Sequence, residues 1–233
     1  MQHELEGLHK HISFLQSLDT DDFYEKDEDE VRQYAHEAIT SLVHMGAEAT
    51  SEVVELLETE FTWSSYFALK ILRETKDPHA VPYLIEFLRR ESDDAMANEE
   101  AMFALQDIGD ASIDPLLEVV EEEFNHKHYN FYLVGAFTGI IGPAPYDFMV
   151  NITKDFLQNH HHYHGWFHID DFTYNFVKQE RKDVLPLLKQ ILELNVLSGD
   201  ERREIRDTID VLEHPEQYYR DMQDMIDDLS KES

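Results

Sequence analysis

Five of the fourteen histidines in this chain fall within nine positions: His160, His161, His162, His164 and His168, inside the segment QNHHHYHGWFHIDD at 158–171. Imidazoles beside carboxylates are the ligand types that divalent zinc, iron or manganese select. A helix beginning near His164 brings His164, His168 and Asp171 to one face at i, i+4 and i+7, and these three are the candidate metal ligands, with His160 and Asp170 beside them. Two features oppose a shared ion. Gly165 interrupts the helical run, and consecutive histidines point in different directions. The plain alternative is an exposed polar loop whose Trp166 and Phe167 pack back on the core. His126 and His128 open the preceding segment and are the nearest candidates to share such a site. Unless this segment takes a divalent ion, no cofactor is expected.

Carboxylates form the second candidate surface. Glu52, Glu55 and Glu58, then Glu86 and Glu91, then Glu118, Glu121 and Glu122 recur on successive helical stretches. If those stretches share one face, the face is negative. It then suits a Lys/Arg-rich segment of a partner protein, with fast, salt-sensitive association. The same acids equally fit the solvent side of amphipathic helices. Trp166 would join the surface as a rim contact.

Composition narrows the classes. A net charge of −31, from 19 basic and 50 acidic residues, opposes broad contact with nucleic-acid phosphate. A salt-loving source also produces acidic surfaces, but fourteen Phe, eleven Tyr and ten Lys fit that origin poorly. Zero cysteines exclude disulfides, zinc ribbons and thiol catalysis. No apolar run is long enough to span a membrane, and the opening MQHELEGLHKHISFLQ lacks the apolar core of a secretion signal, so a cytoplasmic address is expected. No G-x-S-x-G, phosphate-binding glycine loop or H-E-x-x-H is present.

The elements that must carry these residues repeat. Counted from Ala68 and Ala101, both copies place Leu at +4 (Leu72, Leu105), Asp at +9 (Asp77, Asp110) and Pro at +14 (Pro82, Pro115). Each copy reads as an apolar helical stripe, a capping Asp and a second apolar stripe. Taking Ala38, Ala68, Ala101, Val134, Phe172 and Ile205 as equivalent anchors gives spacings of 30, 33, 33, 38 and 33 residues. The single long spacing coincides with the histidine-rich segment. Gly46, Gly109 and Gly142 at +8 are placed to end first helices in a left-handed cap. Second helices are expected near 49–60, 79–91, 112–124, 145–158, 183–195 and 216–229. Gly135, Gly139 and Gly142 read as close packing along one helix. Leu5, Leu8, Ile12, Leu15 and Leu18 predict an N-terminal capping helix, and the eight acids of 19–30 predict a solvated loop with a helix start near Asp27. A two-helix unit of this size cannot bury its own apolar face, so units must stack.

The stretches AVPYLIEFL and AMFALQDIGDASIDPLLEVV resemble HEAT-like repeats of the short archaeal and bacterial type, over about residues 31–195 and more loosely over 200–229. The resemblance implies an all-α, right-handed superhelix of about six antiparallel helix pairs, its second helices lining the concave side. One domain over 1–233 is expected: a cap helix and acidic loop at 1–30, core repeats at 31–195 and C-terminal capping helices at 196–233. Two enzymes of similar architecture were weighed. Deoxyhypusine hydroxylase holds two irons on several His-Glu pairs, of which this chain keeps His36-Glu37 alone, the equivalents being Tyr66-Phe67, Glu99-Glu100, Tyr132-Leu133 and Asp170-Asp171. HEAT-like DNA glycosylases need a basic channel, the wrong sign here. The expected role is therefore a non-enzymatic scaffold binding a basic protein or peptide segment, in a specialised form an inhibitor or immunity-type protein. The alternative is a metal-dependent enzyme using the 160–171 segment.

Overall fold

The computed structural model describes residues 2–20, 23, 26–57, 62–90 and 94–218. Among them no strand occurs. The chain is all-α, as the repeats predict, and it divides into two compact units: Met1–Glu123 with Asn130–Ile140, and Phe124–Tyr129 with Ile141–Ser233.

The first unit opens with α1 (Gln2–Gln16), α2 (Glu28–Met45) and the short α3 (Thr50–Val53). It continues with α4 (Trp63–Thr75), α5 (Val81–Arg89), α6 (Ala95–Ile108), α7 (Asp110–Asn125, counted to Glu123 in this unit) and α8 (Phe131–Thr138). Each first helix packs on the next: α2 on α4, α4 on α6, α6 on α8. α4 is the centre of this stack. Nine of its residues are buried, and Phe67, Leu69 and Leu72 have no exposure at all. A helix apolar nearly all round has to be enclosed by neighbours. α1 packs on α2 and α4, burying Leu8, Leu15 and Leu18 as a capping helix should.

Caps settle where the helices stop. Gly46 and Gly109 lie in the left-handed region, at φ 60° and 74°, and close α2 and α6. Lys76 does the same for α4 at φ 53° without being glycine, its N–H bonding the Leu72 carbonyl. Gly142 departs from expectation. Its φ of 171° is ordinary extended backbone, and it precedes a helix rather than ending one. The close-packing reading holds for Gly135 and Gly139 but not for Gly142. A Cβ on Gly135 would come within 2.8 Å of Met102 Sδ, and one on Gly139 within 2.2 Å of Gln106 Nε2. Pro82 enters at the start of α5 as expected, whereas α7 begins at Asp110 and takes Pro115 inside the helix.

The acidic loop is more than solvated chain. Asp27 caps α2 by accepting the Glu30 N–H at 2.8 Å. Asp19 accepts both the Ser64 N–H, at 2.9 Å, and the Ser64 hydroxyl, while the Trp63 indole donates to the Phe23 carbonyl at 2.9 Å. The loop thus straps the start of α4, a helix end whose N–H groups need acceptors.

The second unit contains α9 (Pro143–Asn159), α10 (Ile169–Tyr174), α11 (Phe176–Gln179), α12 (Leu185–Leu192) and α13 (Gly199–Glu213). α10 and α11 together form one first helix, broken at Asn175, and both pack on α13. Glu180 supplies their left-handed terminus at φ 51°. The expected last helix at 216–229 lies mostly outside the described residues.

Candidate functional site

The histidine-rich segment begins as a 3-10 turn, His160–His162, continuing from α9. Gly165, at φ 84°, then turns the chain, and no helix resumes until Ile169. The predicted helical face of His164, His168 and Asp171 therefore does not form. His164 sits in the turn, two residues past the 3-10 turn and five before α10, and His168 is the residue that precedes α10.

What fixes the segment is its aromatic content. Phe167 is 7% exposed, and its ring lies 5.1 Å from that of Tyr163, 5.2 Å from Phe172, 5.4 Å from Tyr129 and 5.5 Å from Phe124. Trp166 stacks on Tyr163 at 5.4 Å, and its indole N–H donates to the His162 carbonyl at 2.7 Å. The tryptophan expected as a rim contact is thus committed to its own loop. The Tyr163 hydroxyl donates to Asp155 on α9 at 2.6 Å and Asn159 donates to the same carboxylate at 2.8 Å. These bonds hold Asp155 below the ordinary carboxylate range, with the tyrosine bond the larger cause.

Tyr163→Phe removes the larger of the two bonds to Asp155 and leaves the Asn159 bond in place. At neutral pH it should cost about 0.5–1.5 kcal/mol, the usual net worth of one hydrogen bond. Because the folded pKa of Asp155 is depressed, this stabilisation is complete above the ordinary carboxylate range and fades as pH falls through the lower folded value. Denaturant midpoints measured for both proteins should therefore converge in acid. A gap that stays constant to low pH would contradict the assignment.

With His164 excluded, a different trio converges. One ligand atom from each of His168, Asp170 and Asp171 lies within 4.8 Å of the others. Partial desolvation, then the Asp170 charge, holds the Asp171 carboxyl above its usual range, with His168 acting in the opposite sense. Burial together with both carboxylates pushes the Tyr129 hydroxyl up as well. His126, His128, His160, His161 and His162 do not belong to the convergent set. The sequence carried this signal as His-x-Asp-Asp at a helix start, which an assumed i, i+4, i+7 spacing passed over.

The carboxylate surface lies in the first unit. Glu28, Glu100 and Asp107 on the first helices are partnered: Lys70 meets Glu28 at 3.1 Å and Glu100 at 3.3 Å, and Arg73 meets Glu100 at 3.3 Å and Asp107 at 2.8 Å. The second helices differ. α7 carries Asp110, Asp114, Glu118, Glu121, Glu122 and Glu123 with no Lys or Arg, and its buried residues are Ser112, Leu116 and Val120. Glu122 is paired with Arg89 at 3.0 Å and Glu86 lies 3.8 Å from Arg90, so those two are partly neutralised. Glu118 and Glu121 are exposed and have no ion-pair partner among the described residues. Glu55 is exposed and Glu52 half-buried on the preceding second helix, while Glu58 and Glu91 lie outside the described residues.

A family model for the PBS lyase HEAT-like repeat matches residues 98–122, which are most of α6 and α7. The chain carries HEAT-like repeats. Among curated proteins, a deoxyhypusine hydroxylase of Candida albicans is 36% identical over 91 residues. The match covers 39% of this chain and 25% of that protein, so the chain spans about a quarter of its relative's length. No solved structure matches. The HEAT-like pairing accounts for the first-helix stack of α4 and α6 and for the exposure of α7 as a second helix. His36 and Glu37, the one His-Glu pair at a repeat-equivalent position, are both exposed on α2 and are not members of the convergent trio.

Proposed function

We propose that this HEAT-like repeat protein is a binding scaffold whose first unit takes a Lys/Arg-rich segment of another protein on its second helices. The observation that carries this reading is the asymmetry of charge compensation. Glu28, Glu100 and Asp107 on the first helices are tied to Lys70 and Arg73, whereas α7 carries six acids with no Lys or Arg, and its Glu118 and Glu121 are exposed with no ion-pair partner among the described residues. Helical propensity and solubility need no such segregation, and uncompensated carboxylates on one surface favour and steer a cationic ligand. Masking the basic surface of a toxin or a DNA-binding protein, as an inhibitor or immunity-type protein would, is a specialised form of the same function. Within the acidic series this reading rests on Glu118 and Glu121, which are exposed and have no ion-pair partner among the described residues, unlike Glu122 and Glu86.

Glu118→Lys with Glu121→Lys tests it. Both side chains are exposed, so helicity should be unchanged. Affinity for a Lys-rich peptide should fall by about tenfold or more, since like charges at an interface are strongly unfavourable. Undiminished capture by the double variant contradicts the reading. The enzymatic alternative needs an ion at the 160–171 segment, where the convergent ligands are those of His168, Asp170 and Asp171. The relative's name is that of a hydroxylase, and its activity reaches this chain only through that alternative.

A further inference from the structure

We infer that His168, Asp170 and Asp171 in the second unit bind a divalent transition-metal ion. Three observations carry this, and none depends on the basic-segment reading. The first is convergence: one imidazole nitrogen and two carboxylate oxygens lie within 4.8 Å of each other, near enough that small side-chain rotations bring all three to bonding distance of one ion. The second is an unsatisfied atom. Asp170 Oδ1 is shut off from solvent and has no hydrogen-bond partner. A carboxylate oxygen removed from water without a partner is costly, and a bound cation is one of the few partners that relieve it. The third is the surroundings. The Tyr129 ring packs 6.1 Å from that of His168, so an aromatic wall stands beside the trio's imidazole.

The donor set selects the ion. One imidazole with two carboxylates suits Zn²⁺, Mn²⁺, Fe²⁺ or Co²⁺, whereas Mg²⁺ and Ca²⁺ prefer oxygen alone and Cu⁺ prefers sulfur. Three protein ligands leave at least one coordination position open, as catalytic rather than structural sites do. His168 also lines a cavity of about 690 Å³ that is walled by His160, Trp166, Phe167, Leu197 and Glu201. Of the three proposed ligands His168 alone lines this cavity, whose size suits a small molecule.

The test uses the full-length chain without a histidine tag, titrated with Zn²⁺ and separately with Co²⁺, read by thermal midpoint and by the visible absorption of cobalt. A single ion per chain should raise the midpoint and give a cobalt spectrum. Asp170→Asn should raise the metal-free midpoint, because it removes an unpartnered buried charge, and should abolish the metal-dependent rise. His168→Ala, at an exposed side chain, should weaken binding about tenfold or more, in line with loss of one of three ligands. His161→Ala with His162→Ala and His164→Ala should leave the titration unchanged. No midpoint rise with either ion overturns the site. So does a rise that survives both Asp170→Asn and His168→Ala, or one abolished by the triple variant, which would place adventitious metal on the histidine turn. If Asp170→Asn does not fold, His168→Ala decides alone.

Discussion

Phe167→Ala is expected to destabilise the second unit by about 3–5 kcal/mol, the cost of emptying a buried phenylalanine site. The reason lies in how many neighbours share the ring. Phe124, Tyr129, Phe156, Tyr163, Trp166 and Phe172 all place their rings within 6 Å of it. Aromatic pairs in edge and tilted geometry add to the area they bury. Truncation leaves a cavity that a glycine turn on one side and packed helices on the other cannot close. The loop carrying the histidines should loosen at the same time, since Phe167 and Ile169 are the buried residues of its C-terminal half. Denaturant unfolding followed by near-ultraviolet circular dichroism reads both effects. Phe167→Leu, which refills most of the volume, should recover the larger part of the loss. A loss below about 1 kcal/mol for the alanine variant, the level of an ordinary surface change, would show that the aromatic cluster does not hold the unit.

Asn130→Ala should cost the first unit about 2–4 kcal/mol, combining a lost helix cap with an orphaned carbonyl. The side-chain oxygen of Asn130 accepts the N–H groups of Tyr132 and Leu133, at 3.1 and 3.0 Å, which starts α8. Its amide donates at 2.9 Å to the Leu88 carbonyl in the last turn of α5. Asn130 is 7% exposed, so water cannot substitute on either side. Asn130→Asp separates the two contributions. It keeps the cap but turns the donor into an acceptor facing the Leu88 carbonyl, and should recover little. Asn130→Asp as stable as wild type would show the contact to α5 to be unimportant.

Much of this fold was readable from spacing alone. Leu72 and Leu105 are fully buried at their repeat position, and Asp77 and Gly109 cap where the repeat places them. These features are local: a stripe, a cap and a left-handed residue act within one turn of chain. The repeat also marks Lys76 and Glu180 as helix ends, but their left-handed conformation was not readable, because it is one that non-glycine side chains do not favour. The site was half legible. Histidines and aspartates flagged the right segment, but helical periodicity assigned His164 to a face that the turn at Gly165 abolishes. Aromatic packing around Phe167 decides that turn, and such packing is not encoded in nearest-neighbour spacing. The acids were visible as a class, yet which of them are compensated depends in part on Arg89 of α5 reaching across to Glu122 of α7, a contact that spacing along one helix, such as Glu86 with Arg90, does not reveal.

If open carboxylates on α7 recruit a cationic segment, the affinity of the intact protein for a Lys-rich peptide must depend on salt. Measured from about 0.01 M to about 1 M salt, a range over which the screening length shrinks from about 30 Å to about 3 Å, binding should weaken steadily. Glu118→Lys with Glu121→Lys should bind weakly at every salt concentration. Affinity that is independent of salt, or equal in the double variant, would contradict it.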